Sequence, residues 1–302
     1  MSRLLNLTAL CLGLIGLGAA RAEEITVPGG TIELQFTETP PAALQPLVQR
    51  WIENASRSVA GYYGRFPVDR VTLRVSPQPG RRISHGVTFG RPDARINISV
   101  GTAATEEDFS RDWVLTHEML HLAFPSLRRT HHWLEEGLAT YVEPVARARA
   151  GYLSAEKVWG DLVEGLPQGL PEANDQGLDG TSSWGRTYWG GALFCLRADV
   201  EIRRRTHNRY GLEHALRAIL AAGGDVRQEW SIDRVIGIGD GATGVPVLRE
   251  LYDEMGRQPV QVDLPALWQQ LGVMHHGNVT TFDDHAPLAS VRQAITAPAR
   301  SE

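Results

Sequence analysis

Residues 117–121 read His-Glu-Met-Leu-His within an apolar stretch that includes Trp113, Val114, Leu115, Met119, Leu120 and Leu122. Two histidines at i and i+4 share one helix face, one turn apart, so their imidazoles can converge on a single ion. The apolar neighbours require the rest of that helix to be buried. Such a chain has to pack a helix into its core while leaving one polar face open to a cleft. Zinc suits the pair. It takes neutral imidazole nitrogens at about 2.0–2.1 Å in a tetrahedron, and a catalytic site uses three protein ligands and keeps one position for water. Glu118 lies one step round the helix from His117, beside the metal position and within reach of the water, whose pKa zinc can lower to about 7. Its carboxylate can take the proton as the water attacks a carbonyl and deliver it to the leaving nitrogen. The alternative, a polar face with two solvated histidines, fits poorly with the apolar surroundings.

A third ligand decides the class. The long three-histidine motif needs glycine and histidine where Phe124 and Leu127 stand, so it is absent. The next helical stretch carries Trp133-Leu-Glu-Glu-Gly-Leu-Ala-Thr-Tyr141, and a carboxylate from an antiparallel helix can complete the triad. Glu135 and Glu136 are both candidates.

These motifs resemble those of the gluzincin metallopeptidases, above all the aminopeptidase N, leukotriene-hydrolase and glycyl-aminopeptidase relatives. Their second motif has the form Asn/Ser-Glu-Gly-x-Ala-x-Tyr, and its Glu, the third zinc ligand, falls on Glu136. Glu135 takes the place of the Asn or Ser. The resemblance further implies that Glu143, two turns after Glu136, hydrogen-bonds a ligand histidine. A solvated acid near a helix break at Pro144 is the competing reading. Thr187-Tyr-Trp-Gly-Gly-Ala-Leu193 is similar to the relatives' Tyr-x-x-Gly segment. This implies that the Tyr188 hydroxyl donates to the developing oxyanion; a half-buried structural tyrosine is the alternative. Residues 251–273 resemble the helical C-terminal part of such enzymes. The likeness spans roughly residues 60–273, and the implied cofactor is one zinc ion. Two departures stand out. The gap from His121 to Glu136 is 15 residues, shorter than is usual in these relatives, so Pro125 to Arg129 must form a tight link. The edge-strand Glu that holds a substrate's free amino group has no counterpart in Ile83-Ser-His-Gly-Val-Thr-Phe-Gly90. Aminopeptidase specificity therefore does not carry over, although that strand could still pair with a peptide.

Along the chain, alternation predicts a strand, turn and strand over 23–36 and strands at 71–75, 87–89 and 96–100. Helical spacing predicts a helix over 42–62. Thr105-Glu-Glu-Asp108 reads as a capping box opening a helix that runs to about Phe124, and a second helix starts near Thr130. His131 and His132 read as surface residues at that start. A polar loop at 166–186, helices over 187–206, 211–222 and 263–271, and a loosely packed tail over 277–302 complete the reading. Gly237-Ile-Gly-Asp-Gly-Ala-Thr-Gly244 lacks the lysine of a phosphate loop and reads as a flexible turn. The expected architecture is α+β and thermolysin-like, with a sheet-containing part at 23–104 and a helical part at 105–276.

Arg3, an uncharged apolar run to Ala20, and Ala20-Arg21-Ala22 form a signal-peptide pattern, so residues 1–22 are expected to be cleaved on export to a bacterial periplasm or medium. Cys11 would leave with them, so Cys195 has no internal partner and reads as a small buried hydrophobe. No later run is apolar enough to span a membrane. The net charge of -5, with basic residues scattered, argues against nucleic acid as a partner. A peptide or protein substrate is the expected partner, and zinc-dependent peptide hydrolysis the expected activity. A catalytically idle envelope scaffold on the same fold and a zinc amidase acting on cell-wall peptides are the alternatives.

Overall fold

A computed structural model describes residues 23–298. The export signal expected at 1–22 lies outside the described residues. A five-stranded sheet is built from β1 (Glu23–Val27), β2 (Gly30–Phe36), β3 (Arg70–Gln78), β4 (Ile83–Phe89) and β5 (Arg95–Gly101), in the order β1-β2-β3-β5-β4. The two central pairings are parallel and the two outer ones antiparallel, which leaves β4 as a free edge. Period-two alternation places Ile32, Leu34, Val71, Leu73, Val75, Ile96, Ile98 and Val100 on one buried face. Helix α1 (Leu44–Tyr63) contributes Val48, Ile52 and Val59 to the same core at helical spacing.

Two short helices follow. The capping box at Thr105 and Asp108 is present and opens α2 (Glu106–Arg111), but the helix expected to continue to Phe124 breaks at Asp112. Asp112 is extended, and its Oδ2 accepts from the Leu115 amide at 3.2 Å and from Trp51 Nε1 at 2.9 Å. The carboxylate restarts the chain as α3 (Val114–His121) in the manner of a cap. The link to the next helix is pinned by distant backbone. Val226 N donates to Leu122 O at 3.2 Å, Ser126 N to Gln228 O at 3.0 Å and Trp230 N to Ser126 O at 3.1 Å.

Helix α4 (His132–Arg149) runs through Pro144 instead of breaking there. One backbone bond is lost, but Tyr141, Val142, Val145 and Ala146 on either side are wholly buried and hold the helix in place. Helix α5 (Ala155–Gly165) follows, then a segment with a single 3₁₀ turn at Leu166–Gly169. A π-helical turn (Arg186–Gly190) leads into α6 (Gly191–Thr206), and α7 (Leu212–Ala221) packs beside it. Of the residues expected to form a flexible turn at 237–244, all but Gly244, the left-handed C-cap, belong instead to α8 (Ile232–Thr243). Ile232, Val235, Ile236 and Gly239 are buried at helical spacing, and Ser231 caps the start, which together outweigh the glycines' poor propensity. Helices α9 (Val247–Leu251) and α10 (Leu264–Leu271) follow.

The segment after residue 276 is not loose. β6 (Val273–His276) and β7 (Val279–Phe282) form a hairpin across that boundary, and α11 (Ala289–Thr296) packs on α4 and α6. Val291 and Ile295 are buried, and the Arg292 guanidinium donates to the carbonyls of Leu271 and Gly272.

Helices α4 and α6 cross with their backbones in contact. A Cβ on Gly137 would lie 2.2 Å from the Gly191 backbone, and one on Gly191 2.1 Å from the Trp133 carbonyl oxygen. Gly137→Ala must therefore push the helices apart. We expect it to cost about 1–3 kcal/mol, read as a lower denaturant midpoint with an unchanged m-value; an unchanged midpoint would show that the crossing has slack.

Candidate metal centre

Helix α3 presents His117 and His121 on one face, their ring centroids 4.9 Å apart. Helix α4 brings in Glu136, whose Oε2 lies 3.2 Å from His117 Nε2 and 3.6 Å from His121 Nε2. One donor atom from each residue falls within 4.8 Å of the others, the only such group of metal-ligating side chains among the described residues. Donors about 2.0–2.1 Å from a tetrahedral centre sit about 3.3 Å from one another, so the two nitrogen–oxygen spacings fit a zinc ion. Glu135, the competing candidate, turns away: its Oε1 accepts from the Leu127 amide at 3.0 Å and ties the interhelical link to α4.

Charge follows this geometry. Burial opposes ionisation of Glu136, but hydrogen bonds from the two histidines outweigh it and hold the carboxyl well below its usual range. Burial depresses the pKa of His117, which favours the neutral imidazole a metal requires. At His121 burial acts in the same sense, but the nearby carboxylates prevail and raise it.

Glu118 is buried and faces β4. The Thr88 hydroxyl lies 2.7 Å from its Oε2 and 2.9 Å from its backbone oxygen. Gly86 makes this approach possible, because a Cβ there would meet Glu118 Cγ at 2.7 Å. The register shift of β4 between Ser84 and Val87 falls at the same place. Bulges of this kind re-aim a strand beside functional groups.

Tyr188 lies in the π-helical turn, its ring 6.4 Å from that of His117 and inclined to it by 26°. Burial and then the charge of Glu136 push its phenol up to about 12, so the hydroxyl stays a neutral donor. Arg186 anchors the turn through a buried ion pair with Asp175 at 2.8 Å. A cleft of about 730 Å³ joins β4, α3, α4 and Tyr188.

Three positions differ from the sequence reading. The hydrogen bond expected from Glu143 to a ligand histidine is not among those formed; its Oε1 accepts from Arg147, one turn on, at 2.9 Å. His132, expected at the surface, is exposed but reaches Glu136 Oε1 at 3.3 Å and lines the cleft; its i, i+4 spacing from Glu136 was the available signal. Neighbouring His131 instead lies 2.9 Å from Asp179. Thr88 and Gly86 carried no local signal. Cys195 is buried and unpaired, and burial pushes its thiol up, as expected of an inert core residue.

No family model and no curated protein matches the chain. Solved structures share its fold. An aminopeptidase N family protein from Idiomarina loihiensis superposes with a TM-score of 0.60 at 16% identity, over 85% of this chain and 50% of that one. An M1 zinc metallopeptidase from Deinococcus radiodurans gives 0.51 at 16% identity, over 80% and 53%. A variant described as from Deinococcus radiodurans and bound to a Tyr-Ser-Ala substrate gives 0.53 at 15% identity, over 81% and 53%. The chain spans about half the length of these structures, and at such identity the likeness is one of fold. The resemblance carried by the two motifs thus extends to the architecture, a small N-terminal sheet followed by a mainly helical remainder.

Burial raises the Glu143 carboxyl to about 7, against an ordinary value of 4.5, with the Arg147 charge opposing. The folded state then keeps a proton that the unfolded chain releases, so this group's contribution to stability is lost as pH rises through that window. Between pH 4.5 and 7 the melting temperature of Glu143→Gln should fall less steeply than that of the parent. Parallel slopes would place the carboxyl in its ordinary range.

Proposed function

We propose that the chain is an exported zinc metallopeptidase that hydrolyses peptide bonds, on a thermolysin-like catalytic domain of the aminopeptidase N type. The domain runs from residue 23 through α11. One observation carries the reading: His117, His121 and Glu136 converge from two helices, with Glu118 beside them and Tyr188 on the same cleft. The shared fold with M1 zinc metallopeptidases supports it. His117, His121 and Glu136 would hold one zinc ion. Zinc so held is a Lewis acid that polarises a carbonyl and acidifies water.

The remaining chemistry belongs to the chain. Thr88 fixes the Glu118 carboxylate, which takes a proton from the attacking water and passes it to the leaving nitrogen. Tyr188 donates its hydroxyl toward the carbonyl oxygen as negative charge develops there. His132, within reach of Glu136, steadies that carboxylate from the solvent side. The free edge of β4 offers backbone groups along which an extended peptide can lie. The stretch of β4 that lines the cleft carries no carboxylate to grip a free amino terminus. Recognition through the peptide backbone is the favoured mode.

The test is digestion of a peptide library by the chain from residue 23, its zinc content measured, with products identified by mass spectrometry. Glu118→Gln should bind one equivalent of zinc yet lose about 10²–10⁴ in rate, and Tyr188→Phe should lose about 10²–10³ in kcat with zinc retained. A zinc-loaded parent that cuts no peptide but releases fragments from cell wall would identify the amidase instead. A protein that takes up no zinc would sink the site.

A further inference from the structure

A second cavity, of about 720 Å³, adjoins the first at Trp113, His117 and Tyr188 and has no residue of β4 in its lining. Its character differs from that of the first. The cleft beside β4 is faced by Arg82, Ser84, His85 and Thr88. The second cavity shares Trp113, His117 and Tyr188 with that cleft and adds Trp184 and Trp189, with Pro144 and Leu153 beyond them. Trp113 and Trp184 leave 53% and 61% of their surface exposed, a costly arrangement for large rings unless a ligand covers them.

The rings form one continuous surface. Trp113 meets His117 edge-on with centroids 5.4 Å apart, and His117 faces Tyr188 at 6.4 Å. Tyr188 in turn stacks on Trp184 at 5.7 Å and 30°. Both ends therefore touch residues of the candidate metal centre, and anything bound between the two tryptophans lies beside the bond to be cut. The charged groups that line it already have partners: Lys157 pairs with Asp161 at 2.6 Å, Arg147 with Glu143 at 2.9 Å and Arg111 with Glu107 at 2.6 Å, and Glu164 lies 3.1 Å from His275 Nε2. An uncharged aromatic group is the ligand this surface suits, because stacked and edge-on ring contacts add to the gain from burial.

We infer that the cavity is a specificity subsite for an aromatic side chain of the substrate, at one of the two residues flanking the cleaved bond, with Trp184 as its principal determinant. This rests on the peptidase reading for its setting, but binding can be tested apart from turnover. Blocked pentapeptides with Phe, Trp, Leu, Asp or Ala at the centre of an otherwise all-Ala sequence would be titrated calorimetrically into zinc-loaded Glu118→Gln protein. Phe and Trp should bind about ten-fold or more tighter than Ala and Asp. Adding Trp184→Ala should abolish the difference while zinc content and melting temperature stay put, and Trp184→Phe should restore most of it. Equal binding across the series, or an aromatic preference that survives Trp184→Ala, would overturn the assignment. Cleavage by the parent with no aromatic preference would remove the subsite and leave the peptidase. Aromatic binding dependent on Trp184, in a parent that cuts nothing, would keep the subsite and remove the peptidase.

Discussion

The backbone contact between α4 and α6 at Gly137 and Gly191 is the constraint on which the site depends. Gly137 follows the carboxylate ligand candidate directly, and Gly191 follows the π-helical turn that carries Tyr188. Because neither residue has a side chain, the turn comes close enough for Tyr188 and His117 to face each other. Buried polar groups lock the arrangement. Tyr141 of α4 donates to Asp199 of α6 at 2.9 Å, and Arg203 of α6 pairs with Asp199 at 2.8 Å and Glu213 of α7 at 2.7 Å. Removing one member would strand its partners in the core, and that penalty exceeds the net worth of the bonds themselves.

Within the candidate site, sheet and helix meet at Glu118. Glu118 belongs to a helix, yet the hydroxyl that orients it comes from an edge strand, and the absent side chain of Gly86 makes room for it. A carboxylate whose rotamer is fixed by a partner outside its own helix keeps its aim when the helix shifts slightly, the pre-organisation that proton transfer requires.

How much of this was legible in the sequence depended on distance along the chain. His117 and His121 are one turn apart, so helical periodicity alone pairs them. Glu136 sits on the next helix and was reached through the form of its motif. The break at Asp112 was hidden because it depends on Trp51, which lies 61 residues away. Thr88 was invisible for the same reason. Glu143 was misread differently: Arg147 stands one turn on and captured the carboxylate before any histidine could. At 237–244 the glycines mask a helix whose buried positions, Ile232, Val235, Ile236 and Gly239, lie at helical spacing, and in the tail the polar composition masks the inner face formed by Val291 and Ile295.

The link between α3 and α4 has a consequence for the order of assembly. Residues 122–126 are held by backbone bonds to 226–230, about a hundred positions later in the chain. Closing a loop of that length is among the slower events available to a domain of this size. During synthesis, the two histidines and Glu136 would all have emerged while the segment that braces the link between their helices was still missing. A chain in that state holds the donors on an unbraced pair of helices. The geometry that would suit a tetrahedral ion is therefore completed late, when residues 226–230 dock, and uptake of such an ion would follow closure of the fold.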